Sequence, residues 1–123
     1  MRILFLGDIV GPSGCNVVKR FLPDIIKKRD LDFVVANGEN AADSGLGITE
    51  KISKELFSCG IDVLSTGNHV WDQKETAEHI EREKKLLRPY NLTSPSPGKG
   101  FEIFSSKNNF KIGVLNLMGN VFM

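Results

Sequence analysis

The stretch GNHVWD, residues 67–72, follows directly on DVLST at 62–66, and their junction decides the fold. DVLST reads as a buried strand. Gly67, Asn68 and His69 are poor strand residues placed where that strand surfaces, and as a trio they serve no packing purpose. Gly67 lets the backbone turn sharply, while Asn68 and His69 can hold a metal or a proton. A core strand that ends in such a loop is the pattern of an α/β sheet whose carboxyl edge carries chemistry.

The same alternation repeats on either side. RILFLG at 2–7 is a short apolar strand. SGCNVVKRFLPDIIKKR at 13–29 is helical, with Val17, Val18, Phe21, Leu22, Ile25 and Ile26 on one side, and Pro23 inside it predicts a kink or two short helices. DFVVAN at 32–37 is a second strand. TEKISKELFSCG at 49–60 is a helix with Thr49 as N-cap and Gly60 just past its end. QKETAEHIEREKK at 73–85 is a charged third helix. Strands alternating with helices predict a parallel sheet with right-handed crossovers. The unbroken apolar runs of the strands predict helices on both faces. Beyond this, NLTSPSPGKG at 91–100 is a loop. FEIFSS and FKIGVLNL, joined by KNN, predict a hairpin whose second strand returns to the sheet. There is no internal repeat or low-complexity tract. NLMGNVFM at 116–123 ends on apolar residues without a polar tail, which reads as a domain cut at the tip of a core strand.

Composition narrows the class. The 123 residues match one domain, and 41% hydrophobic with 25% charged residues is the composition of a soluble globular protein. Sixteen basic residues against fifteen acidic ones name no polyanionic partner. Cys15 and Cys59 lack metal-knuckle spacing and read as reduced thiols. The apolar run ILFL is too short for a signal peptide, and no segment approaches the ~20 apolar residues of a membrane span. A cytoplasmic protein without a membrane anchor is expected.

The unusual polar residues all fall at predicted strand ends: Asp8 after the first strand, Asn37, Gly38, Glu39 and Asn40 after the second, Asn68 and His69 after the third. Three loops thus aim Asp8, Glu39, Asn40, Asn68 and His69 at one crevice. Two carboxylates in a dry pocket repel, and a cation removes the conflict. Carboxylate and amide oxygens suit hard or borderline metals such as Mn and Fe. Two such ions can clamp a phosphate and sharpen a hydroxide, while a free imidazole protonates the leaving oxygen. Each element also has a plainer reading. Asp8 can cap a helix or close an Asx-turn, and NGEN can be a polar turn. His79 reads as a solvated side chain rather than a ligand. Trp71 reads as packing at the rim, with stacking on a base as the other use. The glycines of GDIVGPSG fit neither the dinucleotide fingerprint nor the Walker loop, so a phosphate-cradling reading is set aside.

The order GD, NGEN, GNHVWD resembles the calcineurin-like metallophosphoesterases, and more narrowly their bacterial YmdB-like branch of 2′,3′-cyclic-nucleotide 2′-phosphodiesterases. Asp8-Ile9-Val10 lacks the usual first-motif His, and Glu39 replaces the usual bridging Asp; both are marks of that branch, as is NAADSGLGIT. The resemblance implies an αββα sandwich. Residues 1–123 would be the N-terminal part of one metallophosphoesterase domain, a βαβαβα half plus a β-hairpin, incomplete at its C-terminus. It implies Asp8 and Asn40 on a first metal, Glu39 bridging, Asn68 on a second, and His69 as general acid while a metal-bound hydroxide attacks phosphorus. It further implies two Fe or Mn ions, a cyclic-nucleotide or other phosphodiester substrate, and homo-oligomers. RNA as a substrate stays open. Family members run to about twice this length, and their second half supplies three more metal-ligating histidines. The four ligands present here give a half-shell for at most one weakly bound ion. The alternative is a truncated, non-catalytic module that oligomerises or binds a partner through an uncovered apolar face.

Overall fold

The computed structural model describes residues 1–120; the end of NLMGNVFM, at 121–123, lies outside them. Four parallel strands form one sheet in the order β1 (Ile3–Val10), β2 (Phe33–Asn40), β3 (Val63–Ser65), β4 (Leu86–Leu87). Helix α1 (Gly11–Arg29) joins β1 to β2, α2 (Glu50–Ser58) joins β2 to β3, and α3 (Thr76–Arg82) joins β3 to β4. A separate antiparallel hairpin, β5 (Phe101–Ser105) and β6 (Lys111–Leu115), follows.

The helices cover one face rather than both. Every crossover steps in the same direction along the sheet, and right-handed crossovers that never reverse put all helices on one side. There Leu22, Leu56, Ile61, Leu64, Ile80 and Leu86 make the main core. On the other face Phe33, Val35, Val63 and Leu87 are covered by Phe104, Ile112 and Val114 of the hairpin. The rings of Phe33 and Phe104 lie 6.1 Å apart. The continuous apolar runs thus reflect a helix layer on one side and the start of a second sheet on the other. The second hairpin strand does not rejoin the parallel sheet. It is stitched to it by Asn116, whose Nδ2 donates to the carbonyls of Thr66 (2.9 Å) and Leu87 (3.0 Å). Because the hairpin stops short of β1, Ile3 and Phe5 remain exposed, Phe5 at 64%. Phe101, Ile103, Leu115 and Leu117 are exposed on the hairpin itself.

Local chemistry explains most element boundaries. Thr49 caps α2, its Oγ1 accepting from the Ile52 amide at 3.2 Å. Helix α1 runs unbroken through Pro23. That proline is exposed, so the carbonyl its ring leaves unpaired can bond water. Asp62 pins β3 to β2, its Oδ2 accepting from the Val34 amide at 2.8 Å. Burial pushes the Asp62 carboxyl above its ordinary range, against the Val34 bond and the Lys85 charge, which pull it down. A folded-state pKa that is raised contributes stability at low pH that is lost as pH rises through it. Asp62→Asn keeps an acceptor for Val34 without the charge. It should therefore be more stable than the parent at pH 7. The gain should vanish near pH 3 in a series of thermal melts.

His79 is not solvated. The residue is 3% exposed, and its Nε2 meets Ser53 Oγ at 2.7 Å, while that hydroxyl donates to the Glu50 carbonyl at 2.8 Å. Helix α3 is shorter than its charged sequence predicts, and beside the core residue Ile80 its inner face carries polar groups: Thr76 Oγ1 donates to the Ile48 carbonyl at 2.7 Å. Ser53→Ala leaves the buried Nε2 without a partner. We expect a loss of about 1–3 kcal/mol in urea denaturation.

Candidate metal centre

β1 and β2 do not stop before their polar residues; both run through them, to Val10 and Asn40. The ladder between them slips on each side of Asp8, which pairs with Asn37, while Val10 pairs with Asn40. Such irregularities bend a strand end and re-aim a side chain. Asp8 Oδ2 accepts from Asn40 Nδ2 at 2.8 Å. Because the Asn40 amino group donates to a carboxylate, its Oδ1 faces the other way; that oxygen is buried and has no hydrogen-bond partner. Glu39 behaves alike. Its Oε1 accepts from Asn37 Nδ2 at 3.3 Å, its backbone amide donates to Asn37 Oδ1 at 2.9 Å, and Oε2 is buried without a partner.

Gly67 makes room for that carboxylate. A Cβ there would stand 2.0 Å from Glu39 Oε2 and 2.5 Å from Cδ, so only glycine admits Glu39 in this position. Asn68 follows, exposed, and His69 after it is part-exposed. His69 Nδ1 lies 2.8 Å from Asp72 Oδ2. A carboxylate only accepts, so Nδ1 carries the proton and Nε2 is the ring nitrogen left for a substrate. Asp72 was not singled out from sequence; its signal was the three-residue spacing from His69 within GNHVWD. Trp71, half-buried, packs against the main core.

The segment after NGEN folds back on the site. Gly47 donates its amide to the Glu39 carbonyl at 2.6 Å, and Gln73 Nε2 holds the Leu46 carbonyl at 2.8 Å. The chain on both sides of the candidate ligands is thereby tied together.

The structure thus joins Asp8 to Asn40, sets Glu39 against Gly67, and places Asn68 and His69 on the adjoining strand end. Among the described residues, no three His, Cys, Asp or Glu side chains converge. Two buried oxygens without donors, one anionic and one from an amide, are what a hard cation satisfies. The residues present fit a metal, as an open, oxygen-only set.

A parallel sheet under helices, the start of a second sheet on its other face, and carboxylate and amide side chains beside an imidazole at one carboxyl edge are one side of a metallophosphoesterase sandwich. The chain belongs to the YmdB-like protein family, whose model matches residues 4–123. It is 42% identical over 123 residues to the 2′,3′-cyclic-nucleotide 2′-phosphodiesterase of Bacillus subtilis (strain 168), covering 100% of this chain and 46% of that protein. A crystal structure of a hypothetical protein from Thermus thermophilus superimposes with a TM-score of 0.90 at 38% identity, covering 100% of this chain and 47% of that one. That of a novel phosphatase from Mycoplasma pneumoniae gives 0.82 at 33% identity, covering 94% and 42%. The chain spans about half the length of the curated relatives it matches. Among the described residues no helix is long and apolar enough to cross a membrane.

Proposed function

We propose that residues 1–123 form the N-terminal part of a metal-dependent phosphodiesterase domain acting on 2′,3′-cyclic nucleotides. The observation that carries this reading is the pair of buried, unpartnered oxygens, Glu39 Oε2 and Asn40 Oδ1, at the same sheet edge as the His69–Asp72 pair. Asp8, Glu39, Asn40 and Asn68 would hold the metal. Bound Fe or Mn ions supply charge neutralisation for the phosphate and an activated water. Asp72 keeps the His69 Nδ1 proton in place. His69, when protonated, donates from Nε2 to the ribose oxygen that leaves phosphorus. Four oxygen ligands without an imidazole hold one ion weakly, so this chain by itself should turn over little substrate.

The test is hydrolysis of 2′,3′-cyclic AMP with Mn²⁺ or Fe²⁺. It compares this chain alone with this chain mixed with the part of the Bacillus relative that it does not cover. Hydrolysis in the mixture, with weak Mn²⁺ binding by the chain alone, is expected. A mixture that forms a complex yet stays inert would overturn the reading. The exposed Ile3, Phe5, Phe101 and Ile103 favour a second reading, a non-catalytic module that self-associates. That reading requires a chain inert with either metal that elutes as a defined oligomer.

A further inference from the structure

We infer that Tyr90 is the stacking platform for the substrate's base; the inference rests on the phosphodiesterase reading above and names the part of the substrate that reading leaves unassigned. β4 runs parallel to β3, so the residues that leave it, Arg88 to Asn91, emerge at the same carboxyl edge as Asn68 and His69. Tyr90 is tied to that loop through a single residue. Its amide donates to the Asn116 carbonyl at 2.7 Å, and Asn116 Nδ2 donates to the carbonyl of Thr66, the residue before Gly67.

The Tyr90 backbone is fixed on every side. Arg88 Nη1 donates to the Pro89 carbonyl at 2.9 Å, and its Nε to Pro97 at 3.0 Å. The Asn91 side chain bonds both polar groups of Met118, accepting from its amide at 3.0 Å and donating to its carbonyl at 2.7 Å. Gly100 lies flush against Tyr90: a Cβ there would stand 2.3 Å from the Tyr90 Cα. The side chain nevertheless stands 60% exposed. A rigid backbone under an exposed ring is preorganised to bind, because little freedom remains to be lost. Trp71, the chain's one tryptophan, packs against the core, so among the described residues Tyr90 is the exposed aromatic on the loop that leaves β4 at this edge. A ring face takes any base, which predicts affinity for nucleotides with little choice among them.

Tyr90 is the only tyrosine, so its ring signals are unambiguous in NMR. The chain would be titrated, with Mg²⁺ present, with 2′,3′-cyclic AMP and with dimethyl phosphate, which has no base. We expect the cyclic nucleotide to shift the Tyr90 ring together with Asn68 and His69, and dimethyl phosphate to shift only the latter two. Tyr90→Ala should weaken nucleotide binding about tenfold or more, while Tyr90→Phe retains it. Shifts at Asn68 and His69 with a silent Tyr90 ring would overturn the platform and leave the phosphodiesterase reading standing. No shift anywhere, with no hydrolysis in the reconstituted mixture, would overturn that reading and the platform with it.

Discussion

Gly67→Ala is expected to weaken Mn²⁺ binding by about 10- to 100-fold while the protein still folds. The added methyl would stand 2.0 Å from one Glu39 carboxylate oxygen and 2.7 Å from the other. One of the two must move, and the carboxylate is the free end of a flexible side chain whereas Gly67 sits in the backbone at the end of β3. Glu39 therefore swings away, taking with it the only charged oxygen of the buried unpartnered pair. The strands themselves are untouched, so the melting temperature should shift by no more than a few degrees. Titration calorimetry with Mn²⁺ and thermal melts read the two effects separately. The cause can be isolated with a double mutant. If displacement of Glu39 is the whole effect, adding Gly67→Ala to Glu39→Ala weakens binding no further, whereas additive losses would mean that Gly67 acts by another route.

The second large effect is at His69. In the mixture that hydrolyses 2′,3′-cyclic AMP, His69→Ala should lower kcat by about 10²- to 10⁴-fold, with a smaller change in KM. Asp72→Asn should act in the same direction but more weakly, about tenfold, because an amide no longer demands a proton on Nδ1. The mechanism has a direct spectroscopic readout. The sequence holds only His69 and His79, so ¹⁵N signals of the two rings separate cleanly. His69 should show a proton on Nδ1 in the parent and shift toward Nε2 in Asp72→Asn, with His79 unchanged beside Ser53. An unchanged His69 ring, or an unchanged kcat in His69→Ala, would remove the imidazole from the proposed mechanism.

Gly67 and His69 could be read directly from sequence, since glycine, amide and imidazole at a strand end have no role in a core. The alternation of apolar strands with periodic helices gave the parallel sheet for the same reason. What escaped depended on partners distant in the chain. His79 looks solvated among charges until Ser53, on another helix, is brought against it. β4 is two leucines long, too short to show any period, and exists because Leu64 and Ser65 offer it an edge. Residues Phe33, Val35 and Val63 invite a helix on their face; the cover they receive is Phe104, Ile112 and Val114, from a hairpin that begins more than thirty residues after β3. At the site, Asp8 and Asn40 were legible as polar strand ends. Their mutual hydrogen bond, which leaves Asn40 Oδ1 without a partner, arises from a ladder slip at Asp8 that no local pattern announces.

The order of strands in space is also the order of their synthesis. Each strand of the parallel sheet pairs with the one made just before it, so no pairing waits for a distant segment. Chains emerge from the ribosome at about 5–20 residues per second, so each strand is available before the one that pairs with it is made. Asp8, Glu39 and Asn40 can therefore meet as soon as the second strand has left the exit tunnel. The GNH loop is made one unit later, and the hairpin that covers the other face of the sheet is made last. On that order of synthesis, the candidate oxygens of the first two strands would be the earliest part of the site to come together.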